Sequence, residues 1–383
     1  MEGIEHIELT KIAQNDKYAT FNMFFGPNFP GMHGNFSYVL DVIGSKIVDV
    51  RTNAGLLHRG FEKLMETKLW MQNLSLIPRI CVVDPDPNEV AYCRAVEKLM
   101  GLEVPEKAQF IRTITLEMSR LTSFLMGMGA LGAMMGLYSG MYRMMNDRDL
   151  LLDLFEWLTG ARVYHIYNVI GGVRRDFPEG FTDKLLVLLD ELEGNISEWD
   201  NLVFENPVIQ KRLTGIGKIT TGEAIDNGLV GPNLRATGYL ADVRLDDPYE
   251  AYPYLDLDIP VTEGGDALAR AVQIRKEYEF SINLIRQAIK KMPEKGEIKV
   301  DIGNPLKLKV PKGDVYSRVE SSKGEYGYHV FSDGDIKPYR ISVRGPSLPA
   351  GLSLCHKHFP GMDIADVAIW MASLAVCPPD FDR

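Results

Sequence analysis

The apolar positions of this chain follow a strand-like pattern near both ends and a helical one in between. Residues 18–51 read as β-structure, with an apolar run from Phe36 to Val42 answered by Lys46 to Arg51. Gly44-Ser45 between them suits a two-residue hairpin turn. Ahead of the hairpin, the stretch from Gly26 through Pro27, Pro30, Gly31 and His33 to Gly34 reads as a loop of fixed shape. A histidine in a loop is ordinarily just solvated.

Residues 55–78 read as helical, with Leu56, Leu57, Phe61, Leu64 and Met65 on one side. A second helix is marked by Asp86 at the N-cap, Pro87 in the first turn and Glu89 at the capping-box position, and it stops at Gly101. One or two long helices follow over 105–144. Asn146 caps another that ends at Gly160, 171–176 is a turn with exposed charge, and helix resumes over 181–200. A glycine-rich region spans 213–239, and a long amphipathic helix occupies 266–292. Strands return at 298–300, 315–320, 326–331 and 339–344, and a last helix covers about 362–374. The expected fold is α+β: one domain over 1–383, with a β-rich part at 18–51, a helical core at 55–292, a second β-rich part at 297–345 and a C-terminal helix and tail at 362–383.

Composition changes this picture little. The chain has 383 residues, with 45% apolar and 25% charged, as expected of a large packed core. A net charge of -10 and the lack of any basic block argue against nucleic acid as a partner. The start, Met1-Glu2-Gly3-Ile4-Glu5-His6, is too polar for a signal peptide. Leu121 to Tyr142 is uncharged and long enough to span a bilayer, but its five glycines favour a buried helix pair over a membrane span or a docking surface. Four cysteines make no disulfide framework and fit a reducing compartment.

The candidate chemistry lies in two distant stretches of the same form. Cys81 and Asp84 make one Cys-x-x-Asp, and Cys377 and Asp380 make another near the opposite end. The matching spacing points to one site closed by the fold. The alternative is coincidence among four cysteines and many aspartates. Cys81 precedes a helix start, where the helix dipole favours a thiolate or an anionic ligand.

The chain resembles the large subunit of group 4 nickel–iron hydrogenases and the hydrogenase-derived subunit of respiratory complex I. The resemblance rests on Gly26-Pro27 with His33-Gly34, on Gly55-Leu56-Leu57-His58-Arg59-Gly60-x-Glu62-Lys63, on Ala95 to Leu99, and on Gly160-Ala161-Arg162. It continues in Gly171-Gly172-Val173, Lys323-Gly324-Glu325, Ser332-Asp333-Gly334, Pro338-Tyr339-Arg340 and Asp382-Arg383. It implies the hydrogenase large-subunit fold, a central bundle of long helices with β-rich ends.

In that family, Cys81, Asp84, Cys377 and Asp380 match the metal-binding cysteine pairs. Two of four thiolates are therefore aspartates here, which implies no nickel–iron centre and no hydrogenase activity. Complex I relatives bind a quinone headgroup through a loop histidine, a tyrosine and an aspartate. His33 matches the histidine, but Val82 and Met134 stand at the other two positions. The branch that fits better is the archaeal membrane-bound sulfane sulfur reductase. This implies reduction of polysulfide with electrons from a 4Fe–4S cluster in a small partner subunit, fed by ferredoxin or an NADPH-linked carrier and coupled to ion movement in a membrane arm. The chain would be a peripheral subunit on the cytoplasmic face of the membrane, among other hydrophilic-arm subunits, binding no cofactor by itself.

On this reading Cys81 and Cys377 exchange with sulfane sulfur, Asp84 and Asp380 relay protons, and His33 donates to the anionic substrate. Arg59 matches a position near the partner's cluster, and Glu62 matches a proton-pathway carboxylate. A family histidine near that cluster aligns with Tyr164, one residue before His165. Cys93 and Cys355 read as core, and His356 and His358 as surface or interface residues. Reduction of a quinone-type carrier and a non-catalytic scaffold for the cluster subunit are the other classes open.

Overall fold

The computed structural model describes residues 20–28 and 36–383. Its first sheet is antiparallel, in the order β1 (Phe21–Phe25), β2 (Ser37–Ile43), β3 (Lys46–Asn53), with the tight turn at Gly44-Ser45. The tip of this hairpin is sewn to the far end of the chain. Ile47 N–H donates to the Met362 carbonyl at 3.0 Å, and Gly361 N–H to the Ile47 carbonyl at 2.8 Å. Beneath it, Phe25, Tyr38 and Leu40 pack with Cys355, Phe359, Trp370 and Phe381 in a core of their own. The two β-rich ends thus meet by different routes, the first through this core and the second through the helices.

Residues 55–78 are helical only in pieces: helix α1 covers Phe61–Thr67, and short helical turns follow at Trp70–Asn73 and Ile77–Arg79. Gly55 and Gly60 have positive φ (116° and 63°), and the Gly55 and Leu57 N–H groups donate to the Asp382 carboxylate instead of entering a helix. Of the expected apolar side, Phe61 and Met65 enter the core, while Leu56 and Leu64 are exposed. Helix α2 (Pro85–Met100) begins one residue before the expected cap. Pro85 takes the first helical position and Asp84 the N-cap, which releases Asp86 and Glu89 from capping for other bonds.

Helices α3 (Glu106–Met134) and α4 (Tyr138–Thr159) form an antiparallel pair joined at Gly136. Asn146 lies inside α4, not at its start, because the left-handed turn at Gly136 already reverses the chain. Residues 121–125 are core, while Met126, Tyr138 and Tyr142 are exposed. Strands β4 (Asn168–Val169) and β5 (Gly172–Val173) make a small buried hairpin, followed by exposed Arg174, Arg175 and Asp176. Helix α5 spans Phe181–Trp199 and α6 spans Ala267–Lys291, the latter capped by Asp266, which accepts from Ala269 N–H at 2.9 Å.

Residues 298–300 make a single bridge, Lys299 to Gly172, and not a strand. The second sheet has the order β6 (Gly313–Ser321), β7 (Gly324–Ser332), β8 (Arg340–Arg344) and lies on α2. Helix α7 (Ile364–Ser373) packs on α3 and α6, and a final turn, α8 (Pro378–Phe381), closes the tail.

Charge is buried deep in this core. Arg235 donates to Glu277 at 2.8 and 2.9 Å and to Glu320 at 2.9 Å, while Arg244 pairs with Asp242 at 2.8 Å and Glu117 at 3.1 Å. These bonds lock α3, α6 and β6 together in place of additional apolar packing.

Candidate active site

The two Cys-x-x-Asp stretches converge. Cys81 sits on the connection into α2 and Cys377 caps α8, and their Sγ atoms lie 3.4 Å apart, both cysteines reduced and buried. The alignment is fixed from outside by Arg59. Its guanidinium donates to the Arg79 carbonyl at 2.8 Å and to the Pro379 carbonyl at 3.3 Å, one on each cysteine segment. The C-terminal turn is also held by Asp382, as described above, and by Ser347, whose hydroxyl accepts from Cys377 N–H at 3.2 Å.

The carboxylates do not face the sulfurs as a matched pair. Asp84 accepts from the Ser322 hydroxyl at 2.9 Å and from Ser322 N–H at 3.3 Å, and it is ion-paired with Lys323. Asp380 accepts from Ser347 N–H at 3.0 Å through Oδ2, while its buried Oδ1 has no partner among the described residues. Burial raises the Asp380 pKa above the ordinary carboxylate range.

Lys323 is the residue that sequence reasoning missed. It occupies the tip of the β6–β7 hairpin, where a lysine is ordinarily solvated, yet it is 6% exposed and its Nζ lies 3.8 Å from Cys81 Sγ. Its only signal in the sequence is the Lys-Gly-Glu motif. Burial opposes ionisation of Cys81, but the hydrogen bond with Cys377 and the Lys323 charge outweigh it and lower that thiol's pKa. The same bond to Cys81, and then burial, raise Cys377. Of the two sulfurs, Cys81, with the Lys323 ammonium beside it, is therefore the one on which a thiolate is favoured.

A cavity of about 360 Å³ opens beside the pair. Its walls are mostly apolar, with Val82, Val83, Met126 and Val376 among them, and its polar groups include Cys377 and Lys323. A nickel–iron centre does not fit this donor set. Two sulfurs are present, Asp84 is held by Ser322 and Lys323, Asp380 is bound to Ser347 through one oxygen, and an ammonium ion lies against one of the sulfurs.

The family described as respiratory-chain NADH dehydrogenase, 49 Kd subunit, matches residues 134–308 and 304–383. The chain belongs to that family. The 49 Kd-family relatives include an NADH-quinone oxidoreductase subunit of Thermosipho melanesiensis, 47% identical over 363 residues, covering 94% of this chain and 99% of the relative. An F(420)H(2) dehydrogenase subunit of Methanosarcina mazei is 37% identical, covering 94% of this chain and 96% of the relative. Among solved structures, a chain of the membrane-bound sulfane sulfur reductase, an archaeal respiratory membrane complex, is 43% identical with a TM-score of 0.93, covering 96% of this chain and 100% of that one. This 49 Kd-family chain is thus a subunit of a membrane-bound, respiratory-type oxidoreductase complex with other subunits. Among the described residues, no helix is long and apolar enough to cross a membrane.

His33 lies outside the described residues. Val82 is 38% exposed at the cavity, and Met134 packs against the core. Glu62 accepts from Val343 N–H at 3.0 Å and is ion-paired with Arg340 and Arg383. Tyr164 has a positive φ of 60° and lies under the Arg79 guanidinium. His165 turns inward to Asp86, with Nδ1 to Oδ2 at 2.9 Å, and stacks on Phe155. Glu89 accepts from the N–H groups of Ile166, Tyr167 and Asn168. Cys93 and Cys355 are buried core residues, and His356 is exposed. His358 is instead fixed to Glu223 at 2.9 Å.

Proposed function

We propose that this chain is the cavity subunit of a membrane-bound, ion-translocating complex that reduces sulfane sulfur at the Cys81–Cys377 dithiol. The observation that carries this reading is the 3.4 Å contact between two reduced sulfurs beside an apolar cavity that also holds an ammonium group. A polysulfide is a polarisable apolar chain with anionic ends, so apolar walls and one cation suit it. A thiolate is also the natural nucleophile toward an S–S bond. In the net reaction a polysulfide dianion, two electrons and one proton give a polysulfide shorter by one sulfur and one hydrosulfide.

The electrons arrive from a 4Fe–4S cluster in a small partner subunit, supplied by reduced ferredoxin or an NADPH-linked carrier. Arg59, exposed beside both cysteine segments, faces that partner and favours the cluster's reduced state. Asp380, with its raised pKa and an unpartnered oxygen, is the better proton source. Asp84 serves by holding Lys323. Glu62 carries protons only by exchanging its arginine partners. His33 is assigned the donor to the anionic substrate.

The second reading is reduction of a quinone-type carrier. The apolar cavity and the name of the Thermosipho relative favour it. In that case Lys323 would donate to a quinone carbonyl in place of the family's tyrosine. The deciding experiment offers the intact reduced complex inorganic polysulfide or a soluble quinone. Turnover with polysulfide alone is expected. Turnover with quinone alone would overturn the sulfur reading, and undiminished polysulfide turnover in both Cys81→Ser and Cys377→Ser would leave the chain a scaffold.

A further inference from the structure

The two sulfurs are alike chemically but not in placement. Cys377 lines the cavity and retains 8% of its surface, whereas Cys81 is fully enclosed behind it. Lys323 contacts the enclosed sulfur at 3.8 Å and also lines the cavity. Its position is set from behind by Asp84, which Ser322 holds through both its N–H and its hydroxyl. Ser322 is in turn fixed by the Ser123 hydroxyl of α3 at 2.6 Å. The cation therefore stands on a chain of side chains from three elements and is not free to swing away.

Resting on the dithiol reading above, we propose that Cys377 makes the attack on sulfane sulfur, that Cys81 acts first as its base and then as the resolving thiol, and that Lys323 is the catalytic cation between Cys81 and the substrate. Displacement at an S–S bond needs the incoming sulfur to reach the nucleophile, and the cavity gives access to Cys377. In the first step Cys377 gives its proton to the Cys81 thiolate and bonds to a sulfane sulfur. The polysulfide S–S bond breaks, and a dianion shorter by one sulfur leaves Cys377 as a persulfide anion. As charge leaves Cys81, Lys323 faces the new anion in the cavity. In the second step the Cys81 thiol attacks the Cys377 sulfur, and the departing outer sulfur takes the proton and leaves as hydrosulfide. The product is the Cys81–Cys377 disulfide. Two electrons from the iron–sulfur partner and one proton then restore the Cys81 thiolate and the Cys377 thiol.

The test uses the intact reduced complex, mixed with inorganic polysulfide, quenched with iodoacetamide and mapped by peptide mass. In Cys81→Ser, Cys377 loses its base but also the bond that raises its pKa, and Lys323 still favours its thiolate. A persulfide is therefore expected to build up on Cys377 more slowly than the wild type turns over and to persist, because nothing resolves it. In Cys377→Ser, Cys81 is expected to carry none. A persulfide on Cys81 in Cys377→Ser would overturn the order of attack. A wild-type complex that consumes polysulfide while neither variant traps sulfur would overturn the assignment altogether. Turnover of quinone alone would instead reject the dithiol reading on which the assignment rests. For the cation, Lys323→Met is expected to cut polysulfide turnover about tenfold or more, the usual scale of a charge-assisted contact. Lys323→Arg should restore most of it. Wild-type turnover in Lys323→Met would remove Lys323 from the chemistry.

Discussion

Gly345 makes room for Asp380. A Cβ added at 345 would lie 1.5 Å from Asp380 Oδ1 and 3.1 Å from the Asp380 carbonyl oxygen. Gly345→Ala must therefore push the C-terminal turn, and Cys377 with it, off the Cys81 segment. Overpacking of this kind costs about 1–3 kcal/mol. The expected outcome is a folded subunit, still assembled, that has lost most of its turnover. Thermal unfolding and acceptor assays on the same preparation check it, and wild-type turnover would show that the turn shifts without moving the sulfur.

The sulfurs at 3.4 Å are close enough to bond with a small shift of either turn, since a disulfide needs about 2.05 Å. A mild thiol oxidant is expected to link Cys81 to Cys377 and to stop activity until a reductant is added. Mapping of non-reduced peptides reads the link. Cys93 and Cys355, whose thiols burial raises in pKa, should stay unmodified under the same treatment.

Arg235 is fully buried and bonded to Glu277 and Glu320. Arg235→Met leaves three carboxylates, Asp242 among them, in the core with one fewer cation, which typically costs about 3–5 kcal/mol. Loss of soluble, assembled subunit is expected, measured by yield and by thermal unfolding of what remains. Adding Glu277→Gln should recover part of the loss, because it removes one of the stranded charges.

Burial and the charge of Asp86 push the Glu89 carboxyl up from 4.5 to about 8. Burial opposes protonation of His165, but Asp86 and Glu89 outweigh it and raise that imidazole. Both groups hold protons more tightly when folded than when unfolded. Their contribution to stability is therefore full at low pH, below the ordinary Glu and His values, and declines as pH rises toward 8. Hydrogen exchange at Ile166, Tyr167 and Asn168, corrected for intrinsic rates, should show protection falling over this range. Glu89→Gln should flatten the profile and lower protection throughout, since an amide nitrogen cannot accept from those N–H groups.

How much of this could be read beforehand depended on range. The hairpin at Gly44-Ser45, helix α6 behind its Asp266 cap and the strands β6 to β8 carry their signals locally, and they stand close to where the pattern puts them. The meeting of Cys81 with Cys377 was legible because the same four-residue form occurs twice. Asp86 and Glu89 misled because their spacing from Pro87 imitates a capping box, while their true partners, His165 and the N–H groups of 166–168, lie on a distant loop. Lys323 was hidden for a related reason. A Lys-Gly pair between two strands describes a wet turn, and only tertiary packing over α2 and α3 makes it dry. The Arg235 and Arg244 network likewise reads in sequence as ordinary surface charge.

The two sulfurs joined under Arg59 come from positions 296 residues apart. The entropy of closing so long a loop grows only logarithmically, but the search is slow, and it becomes favourable once the intervening helices have shortened the path. The dithiol is therefore expected to form late in the folding of this chain. Ready cross-linking of Cys81 to Cys377 would serve as a clock for the completed subunit, silent in any intermediate that has its helices but has not yet brought home its tail.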